Sequence, residues 1–255
     1  MRAPIAALIL VLAPGVTLPA EALTLHRPFG SISVETSYDD HISGRSDPEV
    51  DLYPSGNTDW RGALSVGGGT DLSFDDRWAL YLGGRLRSFR YVNYPDFSGM
   101  VGTATMEVSG YDLPLGLDAF LSYGYSTDGT QSQSHTTALS LEKPLSKQLT
   151  LILSGGQYWH QTRSLGLSNH GPFADGGLRL RLPTRTSLSA LVCVQNRGYD
   201  YGREDRIVSA SLSLSQRLWA GTYLRASYRR DQASSNEPGR DFPGNSVTMG
   251  TSTYF

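Results

Sequence analysis

Nine arginines and five carboxylates stand at alternate positions of runs that read as strands, set among serines, threonines and glycines. They are Glu35, Arg61, Arg85, Arg87, Glu107, Asp118, Glu142, Asp175, Arg179, Arg181, Arg197, Arg217, Arg225 and Arg229. In a strand, positions two apart share a face, so each run presents these groups on one side. A guanidinium offers a rigid planar fork that pairs with carboxylate, sulfate or phosphate through two hydrogen bonds. A surface lined this way can guide anionic or sugar solutes. The same residues can instead pair with one another and fill a narrow interior, and the sequence leaves both arrangements open.

Other chemistry is sparsely supplied. Lipid hydrolysis needs a nucleophile, a base and an orienting partner in contact. His160 and His170, with Ser164, Ser168 and Asn169 nearby, are the nearest approach to such a set. No G-x-S-x-G stands beside them, so an enzyme ranks third among the readings and no catalytic residue is assigned. Cys193 is the one cysteine and has no thiol partner within the chain. No spacing of His, Cys, Asp and Glu suggests a metal, and no cofactor motif is present. Gly67-Gly68-Gly69 lies in a strand with no helix after it, which argues for strand bending rather than phosphate binding. Lys and Arg total 22 against 24 Asp and Glu, a net charge of −2 that gives no hint of nucleic acid.

What must position these residues is an almost unbroken series of strands. Alternation of apolar with small or polar residues predicts strands at about 30–38, 58–71, 77–91, 100–111, 115–126, 134–143, 148–160, 173–182, 186–197, 205–217, 221–230 and 245–255. Many reach about ten residues, the length a tilted strand needs to cross a bilayer. The predicted connections fall into two sets that alternate. Long polar ones are 39–57, 92–99, 127–133, 161–172, 198–204 and 231–244; short ones are 73–76, 112–114, 144–147, 183–185 and 218–220. Membrane barrels have short turns at one end and longer loops at the other.

The opposite face of the strands is apolar. Leu64, Val66, Leu80, Leu82, Leu117, Leu121, Leu139 and Leu141 are predicted to point outward. So are Leu149, Leu151, Leu153, Leu178, Leu180, Leu182, Leu188, Val192, Val194, Val208, Leu212 and Leu214. In phase with them stand Tyr38, Trp60, Tyr125, Trp159 and Tyr228 at one end and Trp78 and Phe255 at the other. Two belts of amphipathic aromatics mark the interfaces of a membrane barrel. Phe89 and Tyr91 break this phase, and a bulge at Gly83-Gly84 would account for it.

Composition agrees. Hydrophobic residues are 39% and charged residues 18% of 255, and mean hydropathy is −0.29. No run of about 18 apolar residues is available for a membrane helix. A barrel needs only every second residue to be apolar. Residues 1–22 read as a cleaved signal peptide: Arg2, an apolar Ile5 to Leu12, then Ala20-Glu21-Ala22 as a small-x-small site. Residues 23–255 would be the barrel.

The chain ends NSVTMGTSTYF, with Val247, Met249, Thr251, Thr253 and Phe255 on one face. This resembles the C-terminal strand signal of Gram-negative outer-membrane barrel proteins, and the resemblance implies delivery to the barrel assembly machinery. Tyr199-Asp200-Tyr201-Gly202-Arg203-Glu204-Asp205-Arg206 and, later, Tyr228 through Ser235-Asn236 are similar to patterns in barrels associated with exopolysaccharide export. That likeness covers about 60 residues and implies polysaccharide-export components as partners, beside the lipid bilayer itself. It fixes no solute.

The expected fold is therefore all-β: a closed antiparallel transmembrane barrel of about twelve strands in the outer membrane. The leading expectation for function is a passive channel or export pore for polar or anionic solutes such as oligosaccharide or exopolysaccharide. The competing class is a non-transporting barrel that anchors or scaffolds partners. Circular dichroism of the mature chain in detergent micelles should show mainly β-structure, and fractionation should place it in the membrane pellet. A dominant helical spectrum, or recovery as a periplasmic solute, would overturn the barrel.

Overall fold

A computed structural model describes residues 24–26, 28–40, 58–93, 98–129, 132–162, 168–238 and 241–255. The expected signal peptide and Ser164 lie outside these residues. The strands are β1 (Thr24–Leu25), β2 (Phe29–Asp39), β3 (Asp59–Ser73), β4 (Trp78–Tyr91), β5 (Gly99–Leu113), β6 (Leu117–Thr127) and β7 (Ser132–Pro144). They continue with β8 (Leu149–Thr162), β9 (Asn169–Arg181), β10 (Thr186–Tyr199), β11 (Glu204–Trp219), β12 (Thr222–Ser235) and β13 (Phe242–Tyr254).

From β2 onward each strand pairs antiparallel with the next, and β13 returns to pair with β2. Twelve strands, β2 to β13, thus form a closed ring. β1 prolongs the line of β2 beyond a break just before Phe29, pairing Thr24 with Ser73 and Leu25 with Leu72. Pro28 stands in the break, where a residue without an amide hydrogen costs no ladder bond. The barrel strands run 11 to 16 residues, at or beyond the length needed to cross a bilayer at a tilt.

Burial identifies the two faces. Ser33, Ser37 and Ser65 are buried, while Ile32, Val34, Leu64 and Val66 between them are about half exposed on the outer surface. Register carries this phase around the ring. Tyr38 pairs with Trp60, Val66 with Leu86, Leu121 with Leu139 and Leu188 with Leu214. In each of these pairs an outward apolar residue meets another across the strand pair, which builds an apolar band.

Two expectations are corrected here. The β3–β4 register runs without a shift from Arg61↔Tyr91 to Ser73↔Ala79, through Gly68↔Gly84 and Gly69↔Gly83. No bulge is present, and Phe89 and Tyr91 face inward. They pack on Ala63 as a small buried cluster, with the Arg61 guanidinium 5.9 Å from the Phe89 ring and 5.6 Å from that of Tyr91. The cation over their faces lets two aromatics sit on the otherwise polar side. Register shifts occur instead beside two turns, between Gly110 and Leu113 and between Arg217 and Trp219.

The second correction concerns the alternation of connections. β9 begins at Asn169 and β12 continues to Ser235, both inside stretches read as loops. β7 likewise begins at Ser132 and β10 continues to Tyr199, so the connections at 128–131 and 200–203 are no longer than the turn at 74–77. Polar strand ends that project past the apolar band look like loops to a hydrophobicity pattern, yet they keep their ladder bonds.

Close backbone approach governs some wall positions. A Cβ on Gly156 would stand 2.0 Å from the Thr137 carbonyl oxygen and 2.9 Å from the Phe173 ring, whereas a Cβ on Gly62 meets nothing within 4 Å. Gly156→Ala should lower unfolding stability by about 1–3 kcal/mol through overpacking, and Gly62→Ala by less than about 0.5 kcal/mol. Urea unfolding in lipid vesicles measures both.

Candidate functional site

The register sends all fourteen of the charged residues singled out above to the inner face. Glu35 lies on β2, Arg61 on β3, Arg85 and Arg87 on β4. Glu107 lies on β5, Asp118 on β6 and Glu142 on β7. Asp175, Arg179 and Arg181 lie on β9, Arg197 on β10, Arg217 on β11, and Arg225 and Arg229 on β12. In a ring of twelve, β3 and β4 stand across the lumen from β9 and β10, six strands away. The arginines thus form two opposed groups, with the acidic residues of β5 to β7 between them.

The ion pairs run along the wall. Arg87 reaches Glu35 at 3.1 Å and Arg179 reaches Glu142 at 2.9 Å, each two strands away. Arg229 meets Asp231 at 2.7 Å on its own strand and donates to Ser209 Oγ at 2.9 Å. Arg85, Arg181, Arg217 and Arg225 are exposed to the lumen and have no carboxylate partner among the described residues. Glu107 and Asp118 are held by other groups: the Ser109 hydroxyl donates to Glu107 at 3.3 Å and the Asp112 amide to Asp118 at 3.0 Å.

Five further inward carboxylates complete the lining: Asp39, Asp59, Asp71, Asp205 and Asp231. The period of two would have found them, since each is in phase with the residues above. Several are committed to structure. Asp59, 1% exposed, accepts from the Asn93 amide and side chain, both at 2.9 Å, and from the Trp60 amide at 2.7 Å.

Among the described residues the hydrolase constellation does not assemble. His160 faces inward on β8, buried, and pairs in register with Asn169. His170 is on the outer face of β9, opposite Trp159. The wall separates the two histidines. Ser168 is tied to β8, its hydroxyl accepting from the Thr162 amide at 3.2 Å. Cys193 faces inward between Asp175 of β9 and Ser209 of β11.

The outward aromatics sit where the period placed them. Tyr38 and Trp60 lie side by side with ring centroids 5.2 Å apart. Tyr125 contacts His135 at 5.1 Å. Trp60, Trp159 and Tyr228 are each more than 40% exposed at the end of the long connections, and Trp78 and Phe255 are so at the other end.

The two motif segments meet at the rim. Arg203 bonds both oxygens of Asp205, at 2.9 and 2.5 Å, and lies 4.6 Å from the Tyr199 ring centroid. Burial works against its charge, but the bonds to Asp205 and the Tyr201 hydroxyl outweigh burial and raise its pKa above the ordinary arginine value. Asn236 then clasps the turn: its Oδ1 accepts from the Glu204 amide at 2.8 Å and its Nδ2 donates to the Gly202 carbonyl at 3.1 Å. Sequence pattern marked these residues without indicating that they touch.

A closed twelve-stranded ring with an apolar outside and a charged inside has the outer-membrane β-barrel fold. Comparison with solved structures gives the same class. An outer-membrane channel from Pseudomonas putida F1 matches with a TM-score of 0.66 at 12% identity, over 93% of this chain and 99% of that one. A bacterial polysaccharide outer-membrane secretin matches with a TM-score of 0.52 at 12% identity, over 89% and 98%. The KdgM porin, in complex with disordered oligogalacturonate, matches with a TM-score of 0.50 at 8% identity, over 88% and 99%. No protein-family model matches the chain, and no curated protein matches it in sequence.

Removing one partner of a buried pair leaves the other charge stranded. Arg203 and Asp205 side chains are 5% and 4% exposed. Arg203→Gln should therefore cost about 3–5 kcal/mol in urea unfolding and expose the 200–203 turn to protease. Equal stability and equal cleavage would show the pair to be dispensable.

Proposed function

We propose that the barrel is a passive outer-membrane channel for polar, anionic solutes, acidic oligosaccharide or exopolysaccharide being the solute class that its lining fits. The single observation that carries this is the set of exposed lumen arginines, Arg85, Arg181, Arg217 and Arg225, without carboxylate partners among the described residues. An interior that existed only to plug itself would pair its charges, since an unpaired charge in a confined space is costly. Among the described residues the pairs Arg87–Glu35, Arg179–Glu142 and Arg229–Asp231 lie along the wall and link strands at most two apart. The remaining guanidiniums, uncommitted to any carboxylate among the described residues, can replace part of a passing anion's hydration, as charged linings do in selective pores.

The neighbours support the same reading. One is a channel, one a polysaccharide secretin and one a porin bound to an acidic sugar oligomer. Within this reading Arg61, Arg87, Arg179 and Arg229, with Glu107, Asp118 and Asp175, shape the solute path beside the unpaired arginines. Tyr38, Trp60, Trp78, Tyr125, Trp159, Tyr228 and Phe255 serve as the interfacial girdles. Delivery runs from a signal peptide through the assembly machinery, which reads the strand ending in Phe255, and polysaccharide-export components are the expected partners.

Planar-bilayer recording of the folded protein tests this. Discrete conductance steps with a preference for chloride over potassium are expected. The triple variant Arg85→Gln, Arg217→Gln and Arg225→Gln should lower that permeability ratio roughly twofold or more. Pure folded protein that passes no current would favour the anchor or scaffold, and a cation-selective pore would remove the anionic solute.

A further inference from the structure

The inner wall near the chain termini carries aromatics for which neither the membrane nor the core accounts. Phe29 begins β2, Tyr81 lies near the start of β4, Tyr223 near the start of β12, and Tyr254 ends β13. Register places all four on the inner face: Phe29 opposite Gly69, Tyr81 opposite Asp71, Tyr223 opposite Ser252 and Tyr254 opposite Ser31. Their phase is opposite to that of the outward aromatics, so they do not meet lipid. They are half-buried, unlike Phe89 and Tyr91 of the small core at the other mouth.

They form a connected row along the circumference. Ring centroids are 6.2 Å apart for Phe29 and Tyr81, 6.3 Å for Phe29 and Tyr254, and 5.8 Å for Tyr254 and Tyr223. Phe29 and Tyr81 are nearly parallel, at 17°. Glycines make the room. A Cβ on Gly83 would come within 2.1 Å of the Tyr81 hydroxyl, and one on Gly69 within 2.7 Å of the Tyr81 ring. The tyrosine therefore lies against bare backbone. With Phe29, Tyr254 and Arg85 it lines a recess of about 470 Å³. Arg225 donates to the Tyr254 hydroxyl at 2.7 Å and stands 6.0 Å from its ring centroid.

We infer that this mouth holds a binding subsite for the ring face of an acidic sugar, with Phe29, Tyr81, Tyr223 and Tyr254 as the stacking surface and Arg85 and Arg225 beside it for the carboxylate. The inference rests on the channel reading and names a substrate contact within it. A pyranose presents axial C–H bonds on one face and hydroxyls at its rim. The C–H face packs on an aromatic face, whose negative quadrupole favours the polarised hydrogens. The tyrosine hydroxyls and lumen serines serve the rim. A guanidinium takes the carboxylate in a paired geometry that a neutral sugar does not supply. Rings at this mouth meet a solute as it enters or leaves on the side of the short turns, which is the periplasmic side of an outer-membrane barrel.

Calorimetric titration of the mature, folded barrel in detergent tests it, with trigalacturonate as the probe and maltotriose as the neutral control. Trigalacturonate should bind, and more tightly than maltotriose. Tyr81→Leu, Tyr223→Leu and Gly83→Ala should each weaken it about fivefold. Gly83→Ala keeps the tyrosine but pushes it off its shelf. Tyr223→Leu removes a ring that meets Tyr254 edge-on, away from the packed Tyr81 shelf, so it keeps the test available where another variant fails to fold. Heat-modifiable gel mobility confirms folding of each. Unchanged affinity in the folded variants, or no binding by the parent barrel, overturns the subsite. Conductance of the same preparations separates the two ideas: a barrel that binds the trimer and passes no ions loses the channel and keeps the subsite, and one that conducts without binding does the reverse.

Discussion

The pairing of β13 with β2 is the contact on which everything else depends. Nine residue pairs, from Ser246↔Asp39 to Tyr254↔Ser31, join the last strand to the first barrel strand. Without them each terminal strand would offer a row of unsatisfied amides and carbonyls to hydrocarbon, at several kcal/mol per group. With them the backbone is self-sufficient, and the side chains of the two faces are released from any duty to hold the strands together. The seam extends to the last residue, where the Phe255 amide donates to the Gly30 carbonyl at 3.0 Å and the Gly30 amide to the Phe255 carbonyl at 2.8 Å.

Because the wall holds itself, the interior has little apolar core to fill. The buried apolar cluster is confined to Ala63, Phe89 and Tyr91. Elsewhere the inward face is mostly glycine, serine, threonine and charge, interrupted by Ile152, Tyr158 and Ile207 and by the tyrosine row. That lining has a direction. Acidic residues dominate on β5 to β7, while unpaired guanidiniums gather on β9, β11 and β12 with Arg85 across from them. The Arg61–Phe89–Tyr91 group closes over itself at one mouth, and the tyrosine row stays open at the other.

Most of the fold was legible because a single physical rule, the period of two, governs nearly the whole chain. It placed twelve strands and assigned both faces, and Leu64, Leu139 or Leu188 went outward as read. It failed where polarity and pairing part company. At Asn169 and Ser235 polar strand ends carry a loop-like pattern, although backbone bonding persists there. Phe89 and Tyr91 match the pattern of a bulge, because nothing in the sequence announces that Arg61, some thirty residues earlier, covers both rings. The charged lining was legible by residue, but the division into paired and unpaired arginines was not. Glu35 and Arg87 meet two strands apart, and separation along the chain carries no trace of neighbours around a ring. The Asn236 clasp was hidden for the same reason.

Among the described residues the ion pairs Arg87–Glu35, Arg179–Glu142 and Arg229–Asp231 run along the wall, and this has a consequence for inheritance. A strut across the lumen would tie the identity of its two ends to the stability of the barrel. A coating does not: Arg179 and Glu142 can be exchanged for other residues while the ladder beneath them stays intact. Architecture and lining are then free to diverge at different speeds. A barrel fold can thus be shared with an outer-membrane channel over 93% of this chain at 12% identity.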